Sequence, residues 1–192
     1  MGFKEGRMKI CVFGLWHLGA VVSSCLSKLG HKVIGLDFDK EIIQNFQNGK
    51  APIFEPGLDE LIEKNMRKGN LSYTYDALSA LKDAEVLWVT FDTPVDDNDN
   101  ADIDFVIKNI NNILKYVKNK TKIIISSQVP VGFTRKLEDR FKKLYPNKTV
   151  YIAYSPENLR LGKALKVFLE PDRIIIGINP DDKEKYLLIS KV

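Results

Sequence analysis

Two hydrophobic patterns alternate along the chain. Short, almost unbroken apolar runs occur at Ile10–Phe13, Val33–Leu36, Val86–Thr90, Lys122–Ser126 and Val150–Tyr154. Between them, apolar residues recur at three- and four-residue spacing: Leu18, Val21, Val22, Cys25, Leu26 and Leu29; Ile42, Ile43 and Phe46; Leu58, Leu61, Ile62 and Met66; and Val106, Ile110, Ile113, Leu114 and Val117. A run that is apolar at every position is buried on both faces, which happens in a parallel sheet covered by helices on each side. The pattern therefore predicts an α/β fold with a doubly wound, mainly parallel sheet. Lys9–Phe13, Val33–Leu36 and Val86–Thr90 are expected side by side at its centre. A short strand is expected at Leu71–Thr74, a brief helix capped by Asp76, an amphipathic helix reaching Leu144, and a seventh strand at Arg173–Gly177. Ser155–Lys166 reads as an irregular or helical connection, and a helix is expected from Asp181 onward.

The segment Lys9–Asp37 carries more than a fold. Its strand is followed by Gly14, then Gly19 in the first turn of a helix, Gly30 as the stop, a second strand and Asp37. This is the order of a dinucleotide-binding βαβ unit, so the sheet is read as Rossmann-type. A helix N-terminus presents unpaired amides and the positive end of its dipole to a pyrophosphate. Gly14 allows the tight turn, and Gly19 lets the helix approach the sheet. A carboxylate at Asp37 accepts bonds from ribose hydroxyls and repels a 2′-phosphate, which favours NAD over NADP. Trp16 stands where the middle glycine of the motif is expected, and an indole there opposes close approach of the phosphates.

Length and composition narrow the partners. With 192 residues, 44% hydrophobic and 28% charged, the chain fits one large domain (residues 8–192) behind a short disordered lead-in (residues 1–7). No apolar run approaches the ~18 residues of a membrane span, and no signal core precedes the first strand, so a cytoplasmic location is expected. The net charge of +4 comes from lysines scattered over helix faces, without interleaved aromatics, which argues against nucleic acid. Cys11 and Cys25 fall at buried positions of a strand and a helix, and neither reads as a nucleophile. The acidic stretch Asp96–Asp104 lacks the glycine and closing glutamate of a calcium loop, so no metal is expected.

Ligands of such folds gather at the carboxyl ends of the strands. Here those ends carry GLWHLG, GLDFD, a Thr93-Pro94 turn, SSQVPVGFT at Ser126–Thr134 and YSPENLRLGKA at Tyr154–Ala164, with APIFEPGL at Ala51–Leu58 and LEPDRIIIG at Leu169–Gly177. In this combination the chain resembles the N-terminal domain of the UDP-glucose/GDP-mannose dehydrogenase family, of which UDP-glucose 6-dehydrogenase is the best-known member. The resemblance runs from about Met8 to Gly177. It implies oxidation of a nucleotide-sugar alcohol to the carboxylate with two NAD⁺. By motif, Gly14, Leu15, Trp16, His17, Leu18 and Gly19 hold the pyrophosphate, Asp37 the adenosine ribose, and Thr93 the nicotinamide side, with Ser127 a further cofactor contact. Glu157 is the acid acting near the reacting carbon, while Glu157, Asn158, Leu159 and Arg160 line the sugar.

The chain also departs from the pattern. Gln128 stands where the family has a water-orienting threonine, Ser126 replaces a lysine, and Leu161 takes a second acidic position. Nothing matches the nucleophilic cysteine, lysine and asparagine that the family carries in later segments. The reading is therefore the NAD-binding part of a nucleotide-sugar dehydrogenase, cut from a longer, homo-oligomeric chain and inactive alone. Gln128 and Glu157 are its catalytic candidates. The alternative is a non-catalytic nucleotide-binding module of the same fold.

Overall fold

The computed structural model describes residues 6–96, 101–156 and 159–179. Glu157, Asn158, most of the lead-in, part of the acidic stretch and the helix expected from Asp181 lie outside the described residues. The elements follow in the order β1 (Lys9–Phe13), α1 (His17–Lys28), β2 (Lys32–Leu36), α2 (Lys40–Gln47), α3 (Leu58–Arg67), β3 (Leu71–Thr74), α4 (Ala77–Leu81), β4 (Val86–Val89), α5 (Ile103–Ile113), β5 (Lys122–Ile125), α6 (Phe133–Leu144), β6 (Tyr151–Tyr154) and α7 (Ala164–Leu169). A 3₁₀ turn at Leu114–Tyr116 extends α5.

The strands form one parallel sheet in the order β3-β2-β1-β4-β5-β6. As expected, β1 lies between β2 and β4, at the point where the winding reverses and a ligand crevice opens. Alternate side chains of β1 feed two cores. Ile10 and Val12 pack with the apolar faces of α1, α2 and α3, whereas Cys11 and Phe13 pack with α4, α5 and α6. Burial on both faces is what the unbroken runs required. Helix starts follow local chemistry: Asp39, Asp76 and Asp102 cap α2, α4 and α5 by accepting backbone N–H groups within the first turn.

The seventh strand does not form. Arg173–Gly177 meets the sheet only through an antiparallel bridge between Tyr154 and Gly177, and Ile174 and Ile175 are exposed. Its apolar residues resemble those of a strand, but beyond β6 no further layer covers them among the described residues. The connection after Ser155 resolves into a short helix, α7, packed against α1.

Candidate nucleotide-binding cleft

The glycine loop is set by contact rather than by flexibility. Gly14 has φ of +98°, and a Cβ there would meet the Phe91 ring at 2.8 Å and the Phe91 amide at 2.9 Å. A Cβ on Gly19 would lie 1.9 Å from the Gly14 carbonyl oxygen, so only glycine lets α1 sit this close to the end of β1. The Thr90 hydroxyl pins the turn by donating to the Gly14 carbonyl at 2.7 Å. Asp37 closes it from the neighbouring strand, accepting the Leu15 amide at 2.8 Å on one oxygen and the Asp39 amide at 3.0 Å on the other.

Trp16 is the residue before α1, with φ of −87°, so its backbone does not need the left-handed freedom of a glycine. Its side chain is 45% exposed and makes no capping bond to α1, and the first turn of α1 holds no acid. A helix start without its own carboxylate or hydroxyl cap keeps amides for an anion. On these grounds the loop fits a dinucleotide pyrophosphate, and Asp37 fits a ribose without a 2′-phosphate.

Beside the loop, a cavity of about 250 Å³ is lined by His17, Leu18, Phe91, Asp92, Thr93, Ser126, Gln128 and Leu159. It lies at the carboxyl ends of β1, β4 and β5. Thr93 donates its hydroxyl hydrogen to the Gln128 carbonyl at 2.9 Å, tying the loops after β4 and β5. Beneath them, the Trp88 indole N–H donates to Ser126 Oγ at 2.9 Å, and that hydroxyl donates to the Ser155 carbonyl at 2.7 Å. Ser126, standing where the family has a lysine, thus fastens the ends of β4, β5 and β6. The Asp92 residue is largely exposed, yet protein around its carboxyl raises its pKa; the Leu18 amide and His17 oppose that desolvation without cancelling it. Its carboxylate thus sits on one of the amides at the start of α1.

A second carboxylate belongs to the site, and sequence reasoning does not single it out. Glu55, within the EPGL motif, is only 4% exposed. It accepts the Gly162 amide on Oε2 and the Ala164 amide on Oε1, both at 2.9 Å, and Oε2 lies 3.3 Å from His17 Nε2. Burial pushes its pKa up, but the two amides and His17 together outweigh it, and the carboxyl ends below its usual range. The signal available in the sequence is a carboxylate in a Pro-Gly loop immediately before a helix, which names no partner.

The structure brings His17, Leu18, Thr93, Gln128 and Leu159 to one cavity, with Gly14, Leu15, Gly19 and Asp37 forming the adjoining loop. Ser127 is buried beside it with a hydroxyl that has no hydrogen-bond partner among the described residues. Arg160 and Leu161 are exposed. Both cysteines are fully buried, and desolvation raises the Cys11 thiol pKa strongly, so neither offers a thiolate to the cleft.

Residues 8–190 match the model of the UDP-glucose/GDP-mannose dehydrogenase family, NAD binding domain. The chain belongs to this family. It is 34% identical over 176 residues to UDP-glucose 6-dehydrogenase of Rhizobium meliloti, a match covering 91% of the chain and 40% of that protein. It is 35% identical over 185 residues to UDP-N-acetyl-D-mannosamine dehydrogenase of Methanococcus vannielii, covering 94% and 41% respectively. Among solved structures, GDP-mannose dehydrogenase of Pseudomonas aeruginosa superimposes with a TM-score of 0.88 at 29% identity, over 96% of the chain and 43% of that protein. The chain thus spans about 40% of the curated relatives it matches. Membership makes it an NAD-binding, Rossmann-type domain of the oxidoreductase family, as the glycine loop and Asp37 had indicated. No helix among the described residues is long and apolar enough to cross a membrane.

Proposed function

We propose that the chain is the cofactor half of a nucleotide-sugar dehydrogenase, which oxidises the C6 alcohol of a UDP- or GDP-sugar to the carboxylate. In the overall change, one alcohol and one water give one carboxylate, while two NAD⁺ accept two hydrides and protons are released. The observation that supports this most is the shared cleft. His17 and Leu18, from the cofactor loop, face the same cavity as Leu159, from the segment assigned to the sugar.

In this reading, NAD⁺ supplies the hydride acceptor. The α1 amides bind its pyrophosphate, Asp37 its adenosine ribose, and Thr93 and Ser127 its nicotinamide end. Gln128 orients water in place of a threonine hydroxyl, Glu157 acts as acid and base near the reacting carbon, and Asn158, Leu159 and Arg160 line the sugar. The full protein is proposed to work as a cytoplasmic homo-oligomer on this small-molecule substrate. The 192-residue chain alone is proposed to be inactive, because trapping the intermediate aldehyde needs an accessible cysteine. Trp16, Gln128 and Leu161 favour a second reading, a nucleotide-binding module without chemistry.

The test is to supply purified chain with NAD⁺ and UDP-glucose, UDP-N-acetylmannosamine or GDP-mannose and follow NADH absorbance. The same assay is run on the product of the full reading frame. The proposal expects no NADH from the chain and steady turnover from the full product with one of the three sugars. Turnover by the chain itself, lost on Cys11→Ser or Cys25→Ser, overturns it. Silence of the full product with all three favours the binding module.

A further inference from the structure

Glu55 joins three segments that are far apart in the sequence. It belongs to the loop before α3, its Oε2 meets His17 in the first turn of α1, and its two oxygens take the amides of Gly162 and Ala164, 107 and 109 residues later. α7 has no capping side chain of its own, so this carboxylate serves as its cap from another part of the fold. The carboxylate stays ionised, since its pKa is held below the ordinary range; an ionised carboxyl can only accept, so His17 presents Nε2–H to it. Three donors converge on a side chain that solvent does not reach, where charge-assisted bonds are at their strongest.

His17 and Leu159 are both in the lining of the 250 Å³ cavity, whereas Glu55 is not. The clasp therefore acts behind the cleft, holding the wall that starts α1 against the wall that leads into α7. We propose that Glu55 is a positioning residue that fixes the spacing of these two walls and thereby the fit of the nucleotide ligand. This rests on the cleft being the cofactor site. The isosteric Glu55→Gln change shows why the carboxylate is needed. An amide has one acceptor oxygen, and its NH₂ group faces an N–H where the second oxygen had accepted. At least one backbone amide loses its partner, and the segment before α7 is freed from α1.

The experiment measures three things on the full chain: NAD⁺ affinity by calorimetry, hydrogen exchange of the Gly162 and Ala164 amides, and the His17 ring tautomer by ¹⁵N NMR, with only His31 as a second histidine. For the wild type, slow exchange and a protonated Nε2 are expected. In Glu55→Gln, exchange of both amides accelerates, the Nε2–H tautomer loses its preference, and NAD⁺ affinity falls about tenfold while unfolding stays cooperative. If Glu55→Gln does not fold, Glu55→Asp, whose shorter carboxylate cannot span both amides, is read the same way. Freed amides with NAD⁺ affinity within twofold of wild type overturn the proposal, and so do amides that stay protected. A wild type that fails to bind NAD⁺ instead overturns the cofactor assignment beneath it.

Discussion

The carboxylate of Asp37 accepts the backbone amide of Leu15 at 2.8 Å, so the end of β2 grips the glycine loop that follows β1. The residue proposed to bind the adenosine ribose thus also shapes the glycine loop. Asp37→Ala removes both functions, and a bond to a charged group is worth about 1.5–3 kcal/mol. NAD⁺ affinity is expected to fall roughly 10- to 100-fold, with NADP⁺ unchanged or tighter because the repulsion of its 2′-phosphate is gone. Calorimetry with both dinucleotides checks this. An unaltered NAD⁺ to NADP⁺ preference would remove Asp37 from the ribose site.

Trp16 gives a prediction of opposite sign. Its φ of −87° suits any residue, and its indole stands partly in solvent, so Trp16→Gly should leave the fold intact. With the bulk removed from the loop, NAD⁺ is expected to bind more tightly, by a few-fold. Weaker binding in the variant would make the indole a ligand contact rather than an obstruction.

Gly19 is a packing requirement. A methyl group there must displace the Gly14 carbonyl, 1.9 Å from its position, and backbone cannot move aside as a flexible side chain can. Gly19→Ala is expected to cost about 3 kcal/mol, the upper part of the overpacking range. For a domain of this size that lowers the melting temperature by roughly 6–12 °C. A melt within a degree of wild type would mean that α1 is free to shift away from the sheet.

The centre of the fold was legible because burial leaves a local imprint. β1, β2 and β4 could be named from unbroken apolar runs, α1 from its periodicity, and the starts of α4 and the dinucleotide loop from Asp76, Gly14 and Gly19. The same rule misled at Arg173–Gly177, where Ile174–Ile176 read like a strand but, among the described residues, no element covers the edge beyond β6. Glu55 stayed hidden for a different reason. Its partners lie 38 to 109 residues away, and no spacing pattern links a carboxylate to backbone amides at that distance. The structural role of Ser126 is not legible in the sequence, because its bond to Trp88 follows from the registry of β4 with β5.

Glu55 also sets an acid dependence. Its pKa is depressed in the folded state, so its contribution to stability is complete above the usual glutamate value of 4.5 and is lost as pH falls through and below it. Denaturant melts of wild type and Glu55→Gln should therefore differ at pH 7 and draw together as the pH is taken below 4.5. Asp83→Asn is the control: that carboxylate is held down by Lys9 and Lys118 but is exposed, and its removal should change little at either pH. A gap between wild type and Glu55→Gln that does not close in acid would mean that the glutamate is held by shape and not by charge.

The claim that carries the most weight is that the start of α1 and the tip of β2 bind NAD. The direct measurement is a titration of ¹⁵N-labelled chain with NAD⁺, followed amide by amide. The account predicts saturable shifts at Gly14, Leu15, His17, Leu18 and Gly19, together with Asp37 and Thr93, and weaker effects from NADP⁺ at the same concentrations. Shifts that are absent at millimolar NAD⁺, or confined to residues away from the carboxyl ends of β1, β2 and β4, would contradict it.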